Sequence, residues 1–302
     1  MSDDSGFLVI GGDSLVGGET VRALERRRHK VLATTRRQNT LGDKRIFLDF
    51  EGADTFRVPD GVRYAFVIAA ATNYERCEKD PLARTINVEL IPRLVANLLD
   101  QGVFVSFIST NSVFGGERPW PGEDDPHAPG IAYARQKSEA EQAINTAAGR
   151  LKASERMNVV RLTKILNPDV PPLPAWFAAW KEGKAVEPFS DLIFAPMSAR
   201  FTGESLSIIG EKRIPGNLHL SGAANVTYVD LAQALIQRLR GATTELIKPT
   251  TAVAKGINIP FKPTYSGLGM PRTTNLSGIE PQPLDNLVDH LLEQISERTK
   301  SQ

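Results

Sequence analysis

The chain has 302 residues, 36 of them Lys or Arg and 35 Asp or Glu, for a formal net charge of +1. That balance, with 41% hydrophobic and 24% charged residues, is an ordinary globular composition and speaks against a general nucleic-acid binder. One cysteine, Cys77, excludes an intrachain disulfide framework, and four histidines without HExxH spacing offer no zinc site.

The length predicts one large or two modest domains, with room for a sizeable core. Residues 1–6 are polar and acidic, and the apolar run at 7–10 is too short for a signal peptide. No run approaches the ~20 apolar residues of a membrane span. A cytoplasmic protein is expected, with no membrane and no nucleic-acid partner.

The first half alternates apolar strands with amphipathic helices. Strands are expected at 7–10, 30–35, 45–48, 64–69, 104–109 and 159–166, with helices at 19–28 and 81–101 between them. In the second helix Ile86, Leu90, Leu94 and Leu98 recur at helical spacing. Such alternation predicts a parallel sheet covered by helices on both faces. At 167–174, Asn-Pro-Asp-Val-Pro-Pro-Leu-Pro stops the pattern. A Trp/Phe segment follows at 176–180, read as core. Residues 219–222 suggest a strand, and 227–239 a helix with Thr227 as N-cap and Asp230 at its third position. The stretch 250–283 is rich in Pro, Gly and Thr. Glu123, Asp124, Asp125 and His127 read as solvated, and Arg200 and Arg272 as surface residues.

Between the first strand and the first helix stands Gly11-Gly12-Asp13-Ser14-Leu15-Val16-Gly17-Gly18. Glycines there let the backbone turn and approach a pyrophosphate, while the helix N-terminus supplies free N–H groups and positive dipole. Gly11 and Gly17 occupy the outer positions of a GxxGxxG-like loop, with Ser14 in place of the middle glycine. An NAD site usually carries Asp or Glu about 20 residues further on. Here the second strand ends in Thr34-Thr35-Arg36-Arg37, and two guanidiniums suit a 2′-phosphate. NADP is therefore the expected cofactor, NAD the alternative. Asp49, with Phe50 beside it, is placed at the adenine end or as a cap of the next turn.

Tyr133 and Lys137 form a YxxxK spacing, which on a helix puts both on one face. A phenol near pKa 10 needs a neighbouring cation to act as an acid near neutrality. Upstream, the strand at 104–109 runs into Thr110-Asn111-Ser112, and strand ends are where open parallel sheets bind ligands. Thr110 is thus the expected hydroxyl partner of a substrate carbonyl.

Glycine loop, strand-end Thr110 and Tyr133/Lys137, in that order, resemble an extended short-chain dehydrogenase/reductase. Within that family the chain is most similar to the dTDP-4-dehydrorhamnose reductase-like nucleotide-sugar enzymes. Ile68 to Ala71, Cys77 to Pro81, Ile86-Asn87-Val88, Val160 to Thr163, His219 to Gly222 and Thr227 to Ala232 carry the same resemblance. It implies a doubly wound Rossmann fold with a smaller C-terminal substrate domain, the first from 1–167 and 196–222, the second from 168–195 and 223–302. It implies that Ala69, Ala70 and Ala71 lie along the cofactor. Thr110 would polarise the carbonyl, Tyr133 would donate the proton, and Lys137 would lower the tyrosine pKa and hold the nicotinamide ribose. Thr163 would lie near the carboxamide and Asn87 near the catalytic helix. It also suggests a homodimer through the helices at 81–101 and 133–147.

The reductases of that group carry Asp-Tyr after the strand-end Thr, and the related dehydratases Asp-Glu. Asn111-Ser112 cannot move a proton as those acids do, so dehydration is disfavoured. The expected activity is NADP-dependent reduction of a keto group on a nucleotide-activated sugar. A nucleotide-sugar epimerase with retained cofactor and a non-catalytic NADP-binding regulatory subunit are the alternatives. No residue identifies the sugar.

Overall fold

The computed structural model describes residues 6–300 other than 240 and 242. The expected domain ranges therefore include a few residues outside the described ones, at 1–5 and 301–302.

The chain begins β1 (Gly6–Ile10), α1 (Leu15–Arg26), β2 (Val31–Thr35), β3 (Arg45–Phe47) and β4 (Val62–Val67). It continues α2 (Tyr74–Lys79), α3 (Pro81–Arg84), α4 (Ile91–Asp100), β5 (Phe104–Thr110), α5 (Ala132–Arg150) and β6 (Met157–Leu162). After β7 (Ile165–Leu166), α6 (Leu173–Lys181), β8 (Ile193–Phe194), β9 (Met197–Ser198) and α7 (Ala199–Lys212), the chain adds β10 (Gly216–Leu220). It closes with β11 (Val226–Thr227), α8 (Tyr228–Ile236), α9 (Pro271–Ser277) and α10 (Leu284–Lys300).

Seven strands form one parallel sheet in the order β10-β6-β5-β4-β1-β2-β3. The chain builds outward from β1 in one direction and from β4 in the other, so the order reverses between them. Helices leave the sheet in opposite senses there, and a crevice opens at the strand C-termini. This is the doubly wound α/β Rossmann fold expected. One face packs α4 and α5 on Leu8, Val67, Val105 and Phe107. The other packs α1 and α7 on Val9, Phe66, Ile108 and Val160.

Local chemistry sets the element boundaries. Ser14 caps α1 by accepting the Gly17 N–H at 3.0 Å, so the helix starts four residues earlier than its apolar spacing suggested. The helix expected at 81–101 is interrupted by a π-turn over Thr85–Leu90. Pro92 has no N–H to bond one turn back, and the Ile91 N–H reaches Ile86 instead. The strand expected at 159–166 is two strands. β6 stops at Leu162, and β7 leaves the main sheet to pair with β9. Thr227 and Asp230 form a reciprocal capping box on α8.

A third core brings together Leu166, Trp176, Trp180, Phe194, Leu231, Leu235, Ile247 and Leu287. Both tryptophans thus serve as core. Met270 and Ile279, by contrast, pack with the β10 side of the main sheet. Among the described residues no helix is long and apolar enough to cross a membrane.

A buried ionic network secures the C-terminal ends of β5 and β6. Arg161 of β6 and Glu141 of α5 are 3% and 2% exposed and lie 2.7 Å apart. Arg161 also donates to the Glu123 carbonyl at 2.9 Å and meets His127 and His219 at 2.9 and 3.2 Å. Glu141 accepts a hydrogen bond from Ser109. Glu123 turns inward to accept from the Thr273 N–H at 3.0 Å. Of the residues expected at the solvated surface, Glu123 is therefore internal and His127 is half-buried. Each finds a donor or acceptor that solvent would otherwise supply.

Burial pushes the Glu141 carboxyl up, but hydrogen bonding with His127 and the Arg161 guanidinium together outweigh it and hold the group at about 2, below its ordinary 4.5. A carboxylate so depressed stabilises the fold fully above pH 4.5, and that part is lost as pH falls toward 2. Urea titrations from pH 6 to 2.5 should show this loss, and Glu141→Gln should flatten it. Arg161→Met leaves the carboxylate buried without its counter-charge, and should cost about 3–5 kcal/mol in urea denaturation at pH 7.

Candidate active site

Two cavities meet at the sheet's switch point. The first, about 620 Å³, runs from the glycine loop to Thr72. Gly11, Asp13, Ser14, Arg36, Arg37, Asp49, Phe50, Ala69, Ala70 and Ala71 line it. Gly11 adopts φ +97°, and a Cβ there would lie 2.7 Å from the Ala69 N, so only glycine permits this close approach of β1 and β4. The Gly11 N–H is held by Thr34 Oγ1 at 3.1 Å. Leu15, Val16 and Gly17 do not line the cavity with side chains. Leu15 and Val16 open α1, where the first N–H groups have no partner within the helix. Gly17 packs on the Gly11 carbonyl. The cleft thus suits a dinucleotide: a glycine cradle, free helix N–H groups for a diphosphate and cations at the far end. Asp49 opens the turn Phe50–Gly52 without a side-chain cap bond, so its carboxylate is left to the cleft.

The end of β2 differs from what its own residues implied. Asp13 reaches over from the glycine loop, accepting from Thr35 Oγ1 at 2.6 Å and from Arg45 Nη1 at 2.7 Å. The Thr35 hydrogen bond and the Arg45 guanidinium hold the Asp13 carboxyl below its ordinary range, against a smaller effect of burial. A carboxylate therefore does stand at the position where the strand lacks one.

The second cavity, about 700 Å³, is lined by Thr110, Asn111, Tyr133, Thr163 and Lys164 on the sheet side. Leu192, Phe194, Tyr228 and residues 259–263 line the other side. Thr72 lines both cavities, so they adjoin there. The Tyr133 phenol is raised well above its ordinary range by burial first, then by neighbouring Tyr74, and is eased by a hydrogen bond with Thr110. It is thus protonated at neutral pH. The Tyr74 and Tyr133 rings lie 5.5 Å apart.

Lys137 lies one turn on, and its ammonium points elsewhere. Nζ donates to the Ile108 carbonyl at 2.7 Å and sits 3.9 Å from the Phe107 ring centroid. Burial pushes Lys137 down to about 7, partly countered by Glu141. A buried ammonium needs an acceptor, and the end of β5 supplies one.

Asn87 lines neither cavity. It accepts from the Ala71 N–H and donates to the Ala71 carbonyl, each at 2.9 Å, and donates to Gln136 of α5 at 2.9 Å. It fixes the cleft floor to α5 from behind, at the π-turn. Thr163 faces the second cavity and accepts from the Gly222 N–H at 3.3 Å. Asn111 donates to the Ser266 carbonyl at 2.8 Å. Arg200 and Arg272 pair with surface carboxylates, Glu204 and Asp124 among them. Tyr74, Lys164 and the 259–263 segment carried no recognisable spacing in sequence, and Tyr228 stood only inside a stretch of family resemblance, with no role attached to it. Only the folded crevice brings them together.

A family model described as RmlD substrate binding domain matches residues 6–297. A probable dTDP-4,6-dihydroxy-2-methyloxan-3-one 4-ketoreductase of Streptomyces antibioticus is 26% identical over 299 residues, 88% of this chain and 87% of that protein. Two solved structures share the fold. One is MoeE5 in complex with UDP-glucose and NAD, at TM-score 0.78 and 19% identity over 98% of this chain and 100% of that one. The other is dTDP-4-dehydrorhamnose reductase from Bacillus anthracis in complex with NADP, at TM-score 0.78 and 16% identity over 96% and 98%. With a family match along nearly its whole length, the chain belongs to the RmlD substrate-binding-domain family, within the extended short-chain dehydrogenase/reductases.

Proposed function

We propose that the protein is an NADP-dependent reductase acting on a keto group of a nucleotide-activated sugar. One observation carries this reading: Thr110 and Tyr133 line a cavity that adjoins, at Thr72, a cleft shaped for a dinucleotide. The ketoreductase name of the Streptomyces relative, and the dinucleotides and UDP-glucose in the fold neighbours, point the same way. Gly11, the α1 N-terminus, Arg36 and Arg37 would hold the cofactor, the last two favouring NADP.

When bound, the nicotinamide supplies the hydride. The chain's own residues do the rest. Thr110 donates a hydrogen bond to the carbonyl oxygen and stabilises the negative charge that develops there. Tyr133, protonated at rest, gives that oxygen its proton. Lys137, bonded to the Ile108 carbonyl of β5 and lowered by burial to about 7, places beneath the site an amine that is only partly charged near neutral pH. The second layer, 168–195 and 223–302, supplies Phe194, Tyr228 and the 259–263 segment as the substrate wall. Phe194 and Tyr228 stack at 4.4 Å and offer a rigid apolar surface. Asn111, tied to Ser266, offers no acid or base for dehydration.

NADPH consumption with a panel of dTDP- and UDP-linked 4-keto sugars should reveal turnover with at least one. Tyr133→Phe should lower kcat by about 10²–10⁴-fold while NADPH affinity, read by fluorescence, stays within about twofold. Thr110→Val should cost about 10²–10³-fold in kcat, and Thr110→Ser should restore most of it. Turnover unaffected by Tyr133→Phe would remove the phenol from the mechanism. Tight NADPH binding without turnover on any keto sugar would replace the reductase by an epimerase or a binding subunit.

A further inference from the structure

β2 contributes no acid of its own at its end, yet the adenosine end of the cleft holds one. Asp13 and Arg36 and Arg37 line the same cleft. Arg45 Nη1 lies 2.7 Å from Asp13 Oδ1, and Arg37 Nε lies 3.9 Å from Oδ2. Thr35, the last residue of β2, donates to the same carboxylate at 2.6 Å. Among the described residues Arg36 makes no ion pair. One carboxylate therefore stands among the guanidiniums of Arg36, Arg37 and Arg45.

This charge pattern suits two different ligands. A phosphate monoester carries about −1.5 to −2 at pH 7, close to the net positive charge of the cluster. The guanidiniums attract it, and Asp13 repels it as a like charge at short range. An unphosphorylated ribose presents hydroxyl donors instead, and a carboxylate at this place accepts from them. The Asp13 carboxylate is already orientated by Thr35 and Arg45, so neither its rotamer nor its charge must be set on binding.

We propose, resting on the dinucleotide reading above, that Asp13 is the cofactor-selecting residue of this chain. Its carboxylate lets the cleft accept the 2′-hydroxyl dinucleotide, NADH. Arg45, by pairing with Asp13, mutes its repulsion enough for the 2′-phosphorylated form, NADPH, to bind as well. Selection thus lies in the glycine loop rather than at the end of β2.

The test is direct binding of NADH and NADPH, by fluorescence titration, to the full chain and two variants. Asp13→Asn keeps the side chain's size and can still accept from Thr35. It should tighten NADPH, weaken NADH, and raise the ratio of their dissociation constants, NADH over NADPH, at least tenfold. Arg45→Gln removes the counter-charge and should lower that ratio. If one variant does not fold, the other still decides, because the two shift the ratio in opposite directions. If Asp13 only anchors the glycine loop, both variants weaken both cofactors in equal proportion and the ratio stays constant, which overturns the proposal. If neither cofactor binds the unmodified protein, the dinucleotide reading itself fails and the proposal falls with it. A changed ratio with an inactive enzyme would leave the selection role standing and count only against the reductase activity.

Discussion

The buried pair of Arg161 and Glu141 is the constraint on which the site's geometry rests. Removing two charges from water is expensive, and the interior tolerates them only because every lone pair and N–H finds a partner. Those partners come from β5, β10 and the 123–127 loop, besides β6 and α5, which carry the pair itself. Five separate stretches of chain must therefore arrive together or leave a charge unpaired. Such an arrangement admits little slack, which suits a place where hydrogen-bond geometry matters.

What the pair holds in register is α5. Tyr133, Lys137 and Glu141 follow one another at four-residue spacing along one face of α5. Glu141 clamps that face to Ser109, the residue before Thr110. The distance between phenol and strand-end hydroxyl is thereby set from below. Asn87 does the equivalent work on the cofactor side. It grips both polar groups of the Ala71 backbone and reaches Gln136 on the same helix. The π-turn that carries Asn87 exists because Pro92 withholds one helical hydrogen bond. A local irregularity is thus used for positioning.

The two halves of the cleft differ in how they are built. The dinucleotide side uses backbone and side chains at or near the ends of strands β1 to β4, from the first quarter or so of the chain. The substrate side is assembled from residues far apart in the chain, from Tyr74 to the 259–263 segment. The break between β6 and β7 makes this possible. By leaving the main sheet at Thr163 and Lys164, the chain turns those two residues toward the cavity and starts the third core.

Strand alternation, the glycine loop, Thr110 and the Tyr133/Lys137 spacing were legible in the sequence because each is local: a period, a turn or one helical face. They determined the parallel sheet, its helical cover and a dinucleotide cleft beside a phenol. What depended on distant contacts was not legible. The burial of Glu123 and the partial burial of His127 depend on Arg161 arriving from β6. The orientation of Lys137 depends on which acceptor lies nearest inside the core. The carboxylate beside Arg37 comes from the glycine loop, more than twenty residues before it, because Thr35 and Arg45 draw Asp13 across the strand ends. Sequence spacing states which residues share an element. Only the tertiary structure decides which charges meet, because side chains from separate elements become neighbours only when the sheet and its helices close around them.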